Sequence, residues 1–304
     1  MAINLAAVHS ELLPGLFDVR GYYDEIPRQW DKIVKVHKSN MATEFSTQMR
    51  YTTLPMLKSE GGATQFDNNA GERWKWALTA FELGLGYAIT RPAIADNLYK
   101  QQFNPNNLGL AFVFNQYKEI QVANLFNTGT TQITGLGGDG VALASTAHPF
   151  DFGTWANTSS VAKSLNESSL LADMVNVRTG FVNEAGLRIL TRARRLVVPP
   201  QLEQVAIRLT KTELRPGTAM NDVNAILTTA GGLPEGYIVL DFLTSAFAWF
   251  LTTNVDGLLL MQREAFEIDM WVDNLTDNLL VKGYERYSVG YNDPRAAWLE
   301  YPTS

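Results

Sequence analysis

The sequence predicts an α+β fold on three observations. Two strand-like stretches flank a polar, glycine-rich tip between residues 46 and 89, a single long helical stripe follows, and helices and short strands then alternate until the chain closes on paired antiparallel strands. At 304 residues the chain is long enough for two domain-sized units or for one body with large excursions.

Residues 1–45 carry short apolar clusters, Leu12-Leu13, Leu16-Phe17, Tyr22-Tyr23 and Ile33-Val34, broken by Pro14-Gly15, Gly21 and Pro27. None is long enough to own a core. The segment therefore predicts an extended arm that gains stability by lying against something else, with one helix near Arg28 to His37. Residues 46–57 read as a strand and Arg73 to Ile89 as a longer one, joined by the polar tip Lys58 to Gly71. In the second strand Trp74, Trp76, Leu78 and Ala80 share one face, whereas Phe81, Leu83, Leu85, Tyr87 and Ile89 share the other. The flip after Ala80 predicts a bulge, or a strand that leaves one packing environment for another. A two-stranded ribbon is marginal alone, so the aromatic face requires a cover from outside it.

After a short helical stretch from Arg91 to Tyr99, Asn104-Pro105-Asn106-Asn107 supplies cap and first-turn chemistry for a helix reaching about Asn127. Its core stripe is Leu110, Val113, Phe114, Tyr117 and Ile120, and Phe112, Val122, Leu125 and Phe126 fall off it, which predicts contact on more than one side. At about 1.5 Å per residue the helix makes a strut of roughly 30 Å. A Gly/Thr/Ser-rich connection with short strands runs from Thr128 to Ser160. A helix is predicted over Leu165 to Asn183, a buried strand over Arg195 to Pro200 and a helix over Gln201 to Thr212. A loop spans Arg215 to Gly236. Strands follow at Tyr237 to Leu243, Ala248 to Thr252, Leu258 to Gln262, Phe266 to Asn274 and Asn278 to Tyr291.

Composition removes several function classes. There is no cysteine, which excludes disulfides, thiolate zinc sites, iron–sulfur clusters and cysteine nucleophiles. A net charge of -6 repels polyphosphate and argues against a dedicated nucleic-acid reader. The start, Met1-Ala2-Ile3-Asn4-Leu5, lacks the basic region of an export signal, and no apolar run approaches the roughly 18 residues of a membrane span. Hydrophobic residues make 46% and charged residues 18%, below the roughly 25% charged content usual for soluble domains, which hints at apolar surface buried between copies.

Motifs with chemical potential are poorly supported by their context. Gly135-Leu136-Gly137-Gly138-Asp139-Gly140 spells a dinucleotide fingerprint, but without the strand before it and helix after it that a phosphate cradle needs, it reads as a loop. Ser145, His148 and Asp151 could form a nucleophile, base and orienter, yet they sit close in sequence and no G-x-S-x-G elbow exists, so a loop-stabilising histidine is the simpler reading. His9 and His37 complete the histidine set, too few for a histidine metal site. Glu267, Asp269 and Asp273 form the wet side of a half-buried strand or, alternatively, a cation site at a contact between copies. Arg188, Arg192, Arg194 and Arg195 are a solvated or locally paired cluster, or a contact to DNA or to a neighbour's carboxylates.

The order arm, long hairpin, long helix, α/β unit and terminal strands resembles the major capsid proteins of tailed bacteriophages with the Hong Kong 97 fold. Particular stretches are similar to the Mu-like major head subunit group: Trp30-Asp31-Lys32-Ile33, Ala144-Ser145-Thr146-Ala147-His148-Pro149, Leu196-Val197-Val198-Pro199-Pro200-Gln201-Leu202-Glu203, Asn221-Asp222-Val223-Asn224, Ala248-Trp249-Phe250-Leu251 and Gln262-Arg263-Glu264. The resemblance implies an N-arm over 1–45, an E-loop over 46–85, a P-domain over 86–160 and 259–304 with a spine helix at about 104–127, and an A-domain over 161–258. It implies a non-enzymatic, cofactor-free and metal-free shell subunit that self-assembles as hexamers and pentamers around phage DNA. The E-loop residues Lys58, Glu60, Phe66, Asp67, Arg73, Trp74 and Trp76 would then meet a neighbouring copy. Expected partners are a separate scaffolding protein, since no extension precedes the arm, a portal, decoration proteins and DNA through non-specific contact, with no membrane. Assembly would take place in the host bacterial cytoplasm and the mature location would be the virion head. Some relatives crosslink an E-loop lysine to a neighbour's asparagine, and Lys58 stands at that tip, though a lysine on an exposed loop is ordinary. Two other readings remain, an encapsulin-type compartment on the same fold and a Ser145/His148 hydrolase.

Overall fold

A computed structural model describes residues 21–50, 54–64, 66, 71–96, 100–133, 138–213, 224, 226, 227 and 232–303. The strands are β1 (Lys35–Lys38), β2 (Thr43–Arg50), β3 (Gly71–Thr79), β4 (Phe81–Ile89), β5 (His148–Phe150), β6 (Gly153–Trp155), β7 (Ala193–Val198), β8 (Tyr237–Val239), β9 (Trp249–Thr253), β10 (Leu258–Val272), β11 (Leu279–Tyr291) and β12 (Ala297–Glu300). The helices are α1 (Arg91–Ala95), α2 (Lys100–Asn127), α3 (Glu167–Gly180) and α4 (Glu203–Lys211). One four-stranded sheet has the order β1-β10-β11-β4 and a second the order β12-β9-β7-β8, while β2-β3 and β5-β6 are two-stranded.

The flip read at Ala80 is where one sheet ends and another begins. Gly71–Thr79 pairs antiparallel with β2, whereas Phe81–Ile89 pairs antiparallel with β11. A single extended run thus serves two packing environments, and its apolar face changes side because its cover changes.

Several expectations are corrected. The helix near Arg28 to His37 is only a 3-10 turn at Trp30–Lys32, after which β1 adds in parallel to the edge of β10. The edge's unpaired backbone groups offer this short, lysine-flanked segment more than three isolated helical turns would. The expected strand over 46–57 ends at Arg50 and begins earlier, at Thr43. The two strands expected at Leu258 to Gln262 and Phe266 to Asn274 are one strand, and the interruption between them is a pair of register shifts at Gln262/Glu264 and Glu264/Glu267.

The long helix begins at Lys100, a turn before the Asn104 cap expected, and reaches Asn127 as expected, about 42 Å at 1.5 Å per residue. Its buried face is rotated from the predicted stripe. Leu110 and Phe114 are buried as expected, but Val113 is 45% and Tyr117 38% exposed, and Ile120 is half-buried. Val122, Leu125 and Phe126 are buried, in keeping with contact on a second side, whereas Phe112 is exposed, and Ala111 and Lys118 are buried without having been expected to be. The rotation follows from Lys118, whose ammonium contacts the buried Glu285 of β11 and so turns a nominally wet position inward.

Two large apolar clusters form the core. The first joins Trp30, Val122, Phe126, Phe250, Leu260 and Tyr287, binding the N-terminal segment, α2 and both large sheets together. The second packs α3 and α4 on the second sheet through Leu170, Val177, Leu196, Ala206, Trp249 and Trp298. Each fully buried large side chain here contributes about 1.5–3 kcal/mol.

Candidate assembly surface

The β2–β3 ribbon carries most of the residues singled out from sequence. It is antiparallel with a register shift between Thr47 and Met49, and its root is closed by the Ala80 N–H donating to the Ala42 carbonyl at 2.9 Å. Trp76, Leu78 and Ala80 are buried against Met261, with Trp74 and Leu259 partly buried beside them. The aromatic face expected to need a neighbour is therefore covered by the chain's own β10, a correction to the reading of Trp74 and Trp76. The long strand β10, invisible as one strand in the sequence, supplies that cover.

At the far end of the ribbon Arg73 is also engaged within the chain. Its Nη1 lies 2.8 Å from Asp151 Oδ1 and its Nε 3.2 Å from Glu184 Oε2. Arg50 Nε contacts the other oxygen of Asp151. Lys58 and Glu60 are exposed at the tip, Phe66 is 82% exposed, and Asp67 lies outside the described residues.

Exposed apolar residues that the sequence reading missed cluster on the same segment: Phe45, Met49, Leu54, Met56 and Leu57, all more than half exposed. The signal was present, since Phe45 and Met49 lie on the strand and Leu54, Met56 and Leu57 run up to the polar tip. With Phe66 they make a concentration of wet apolar surface that a solitary protein does not ordinarily carry.

The remaining motifs are absorbed by the fold. Gly135 to Gly137 lie outside the described residues; Gly138 and Gly140 have φ of +83° and +86°, and a Cβ at Gly138 would stand 2.2 Å from the Tyr291 ring. The glycine is there for that close approach. His148 is fully buried, its Nδ1 2.8 Å from Asp139 Oδ2 and its Nε2 3.1 Å from Asn157 Oδ1, with its ring stacked on Trp155. No ring nitrogen remains to activate Ser145, whose Oγ accepts the Ala147 N–H, and Asp151 belongs to the arginines. His148 opens β5 rather than sitting in a loop, and from the core it joins Asp139 to Asn157. Glu267 and Asp269 are exposed, and no cluster suited to a metal ion occurs among the described residues. Arg194 and Arg195 both pair with Glu235, while Arg188 and Arg192 are exposed. Among the described residues no helix is long and apolar enough to cross a membrane.

The phage capsid protein family matches residues 78–299. No curated protein sequence matches the chain. Among solved structures it is similar to a chain of Microbacterium phage Oxtober96, with 11% identity, a TM-score of 0.55 and coverage of 90% of this chain and 91% of that one. It is similar to the capsid of an empty GTA particle, at 14% identity and a TM-score of 0.57 with 90% of each chain covered. A virus-like particle from Pyrococcus furiosus aligns at 8% identity and a TM-score of 0.52, over 95% of this chain and 98% of that one. At these identities the likeness is one of fold.

Proposed function

The chain belongs to the phage capsid protein family and is a structural major capsid protein of Hong Kong 97-type fold, and from that premise we propose how it builds its shell. In this reading residues 1–45 are the N-arm, 46–85 the E-loop, 86–160 and 259–304 the P-domain with α2 as spine, and 161–258 the A-domain. The pairing of Gly86–Ile89 with β11 and the packing of α2 on the same sheet support grouping residues 86–160 with the closing strands, and the α3–β7–α4 packing supports a separate A-domain. Copies meet as hexamers and pentamers, with a separate scaffolding protein, a portal and decoration proteins as partners, DNA held by non-specific contact, and assembly in the host cytoplasm. The family match favours this over a cargo compartment. The closure of both His148 nitrogens removes the support for a hydrolase.

The observation that carries the assembly reading is the wet apolar surface of the ribbon. Phe45 at the end of the N-arm and Met49, Leu54, Met56, Leu57 and Phe66 of the E-loop, with Lys58, Glu60 and Asp67 at the tip, form the surface that a neighbouring copy covers. Trp74 and Trp76 anchor it to its own body. At about 25 cal/mol per Å2, covering several such side chains contributes several kcal/mol per contact, repeated at every copy. Deleting Lys58 to Gly71 and closing the arms with Asn-Gly should leave a folded chain that forms no stable shells, as read by analytical ultracentrifugation beside a thermal melt. Full-sized shells of ordinary stability from the deletion would contradict the reading. So would a chain that fails to fold, since the ribbon would then belong to the core.

A further inference from the structure

The ribbon touches its own body in two chemically different ways. Near its root the contact is apolar, through Trp76 and Leu78, whereas its distal end is held by charge. Arg50 of β2 and Arg73 of β3 converge on Asp151, in the turn between β5 and β6, and Arg73 reaches on to Glu184, beyond α3. Glu184 is fully buried, and its other oxygen is taken by Arg295, itself buried and paired with Asp293 at 3.2 Å. The Asp151 backbone N–H donates to the Glu184 carbonyl at 3.3 Å, so the two acids form one notch. The Glu184 carboxylate is thus fixed by the body and Asp151 is tied to Glu184 through its backbone, while the two arginines come from the ribbon.

We propose that the Asp151–Glu184 notch is a clasp that holds the distal ribbon against its own body in the unassembled subunit and must open before the ribbon can swing to a neighbouring copy. The side chains of Arg50, Asp151 and Arg73 are 17%, 10% and 26% exposed, so the clasp is shielded enough to hold and open enough to be competed away. A two-stranded ribbon is marginal by itself, so a ribbon released at its far end frays. The clasp is defined on the free subunit; only its effect on assembly rests on the shell reading.

The test is hydrogen exchange of the unassembled full-length chain. Asp151→Asn should raise exchange in residues 43–50 and 71–79 about tenfold while β7 and β9 stay protected. Arg73→Gln, at the more exposed partner, should do the same if Asp151→Asn folds poorly, and Arg73→Lys should retain most of the protection. Unchanged ribbon exchange in both Asp151→Asn and Arg73→Gln would overturn the clasp, leaving the apolar root as the only attachment. Light scattering then reads assembly: the variants with a freed ribbon should show a shorter lag than the natural chain, and an equal or longer lag would overturn the gating role. A natural chain that never scatters would count against the shell reading while leaving the exchange result standing.

Discussion

Lys118 is the residue on which the N-terminal segment, α2 and β11 converge. Its side chain is 2% exposed, it contacts the fully buried Glu285, it donates to Tyr23 Oη at 2.9 Å, and it lies over the rings of Trp30, Tyr23 and Tyr287. Burial pushes the lysine down and the glutamate up, and each is pulled back by the other's charge. Lys118→Met should cost about 3–5 kcal/mol in a urea melt by stranding Glu285, while adding Glu285→Leu should recover most of the loss. Equal destabilisation by the single and double variants would show that the pair is not the unit. Glu300 gives the molecule a pH dependence. It is fully buried, accepting N–H bonds from Ser159, Lys163 and the Trp298 indole, and burial, with the nearby Asp173 charge, raises it above its ordinary 4.5. With the folded value above the unfolded one, folding takes up a proton between them. Its contribution therefore weakens as pH rises from 4.5 through the raised value, and Glu300→Gln should flatten that slope in urea midpoints. An identical slope in both proteins would contradict this. None of these buried polar residues was legible in the sequence, because a lysine or glutamate is assigned to water until its partner is known, and the partners lie up to 262 residues away. His148 is the same lesson at smaller range: a loop residue by pattern, a core residue by virtue of Asp139 and Asn157.

At the scale of elements, local pattern was most informative where it changed. The face reversal at Ala80 located the passage from ribbon to sheet within a residue, because period-two alternation records which side is covered. The same pattern could not identify the cover, since Met261 and Leu259 belong to a strand whose register shifts made it look like two. Helix α2 was legible in existence and C-terminal limit but not in rotation, because the 3.6 period fixes a stripe only when every inward position is apolar, and Lys118 is not. The corrected face makes a contrast. Leu110→Asp or Phe114→Asp should abolish soluble folding, at a cost above about 4 kcal/mol, whereas Tyr117→Asp should cost under about 1 kcal/mol in the isolated chain. Circular dichroism melts decide it. A Tyr117→Asp protein that does not fold would return the helix to its predicted orientation, and a Phe114→Asp protein of normal yield and melting point would contradict both faces.

Across the whole molecule, chain ends and middle are interleaved. Residues 35–38 pair with β10, residues 81–89 with β11, and β12 closes on β9, so both large sheets draw on distant parts of the sequence. The order of elements alone pointed to the fold, and the family match over residues 78–299 establishes the function that the order implied. What sequence could not give is the division of labour on the ribbon, with Trp76 and Leu78 turned toward the chain's own body and Phe45, Met49, Leu54, Met56 and Leu57 exposed. That division depends on β10 and on the Asp151–Glu184 notch, both assembled only by folding. On the proposed reading, the exposed apolar side chains of the ribbon are the surface that copies of the subunit cover. Negative-stain microscopy of the purified full-length chain, across salt concentrations and with and without a scaffolding partner, tests it most directly. Closed, uniform shells with icosahedral outlines are the predicted result, and only monomers or dimers under every condition would contradict it.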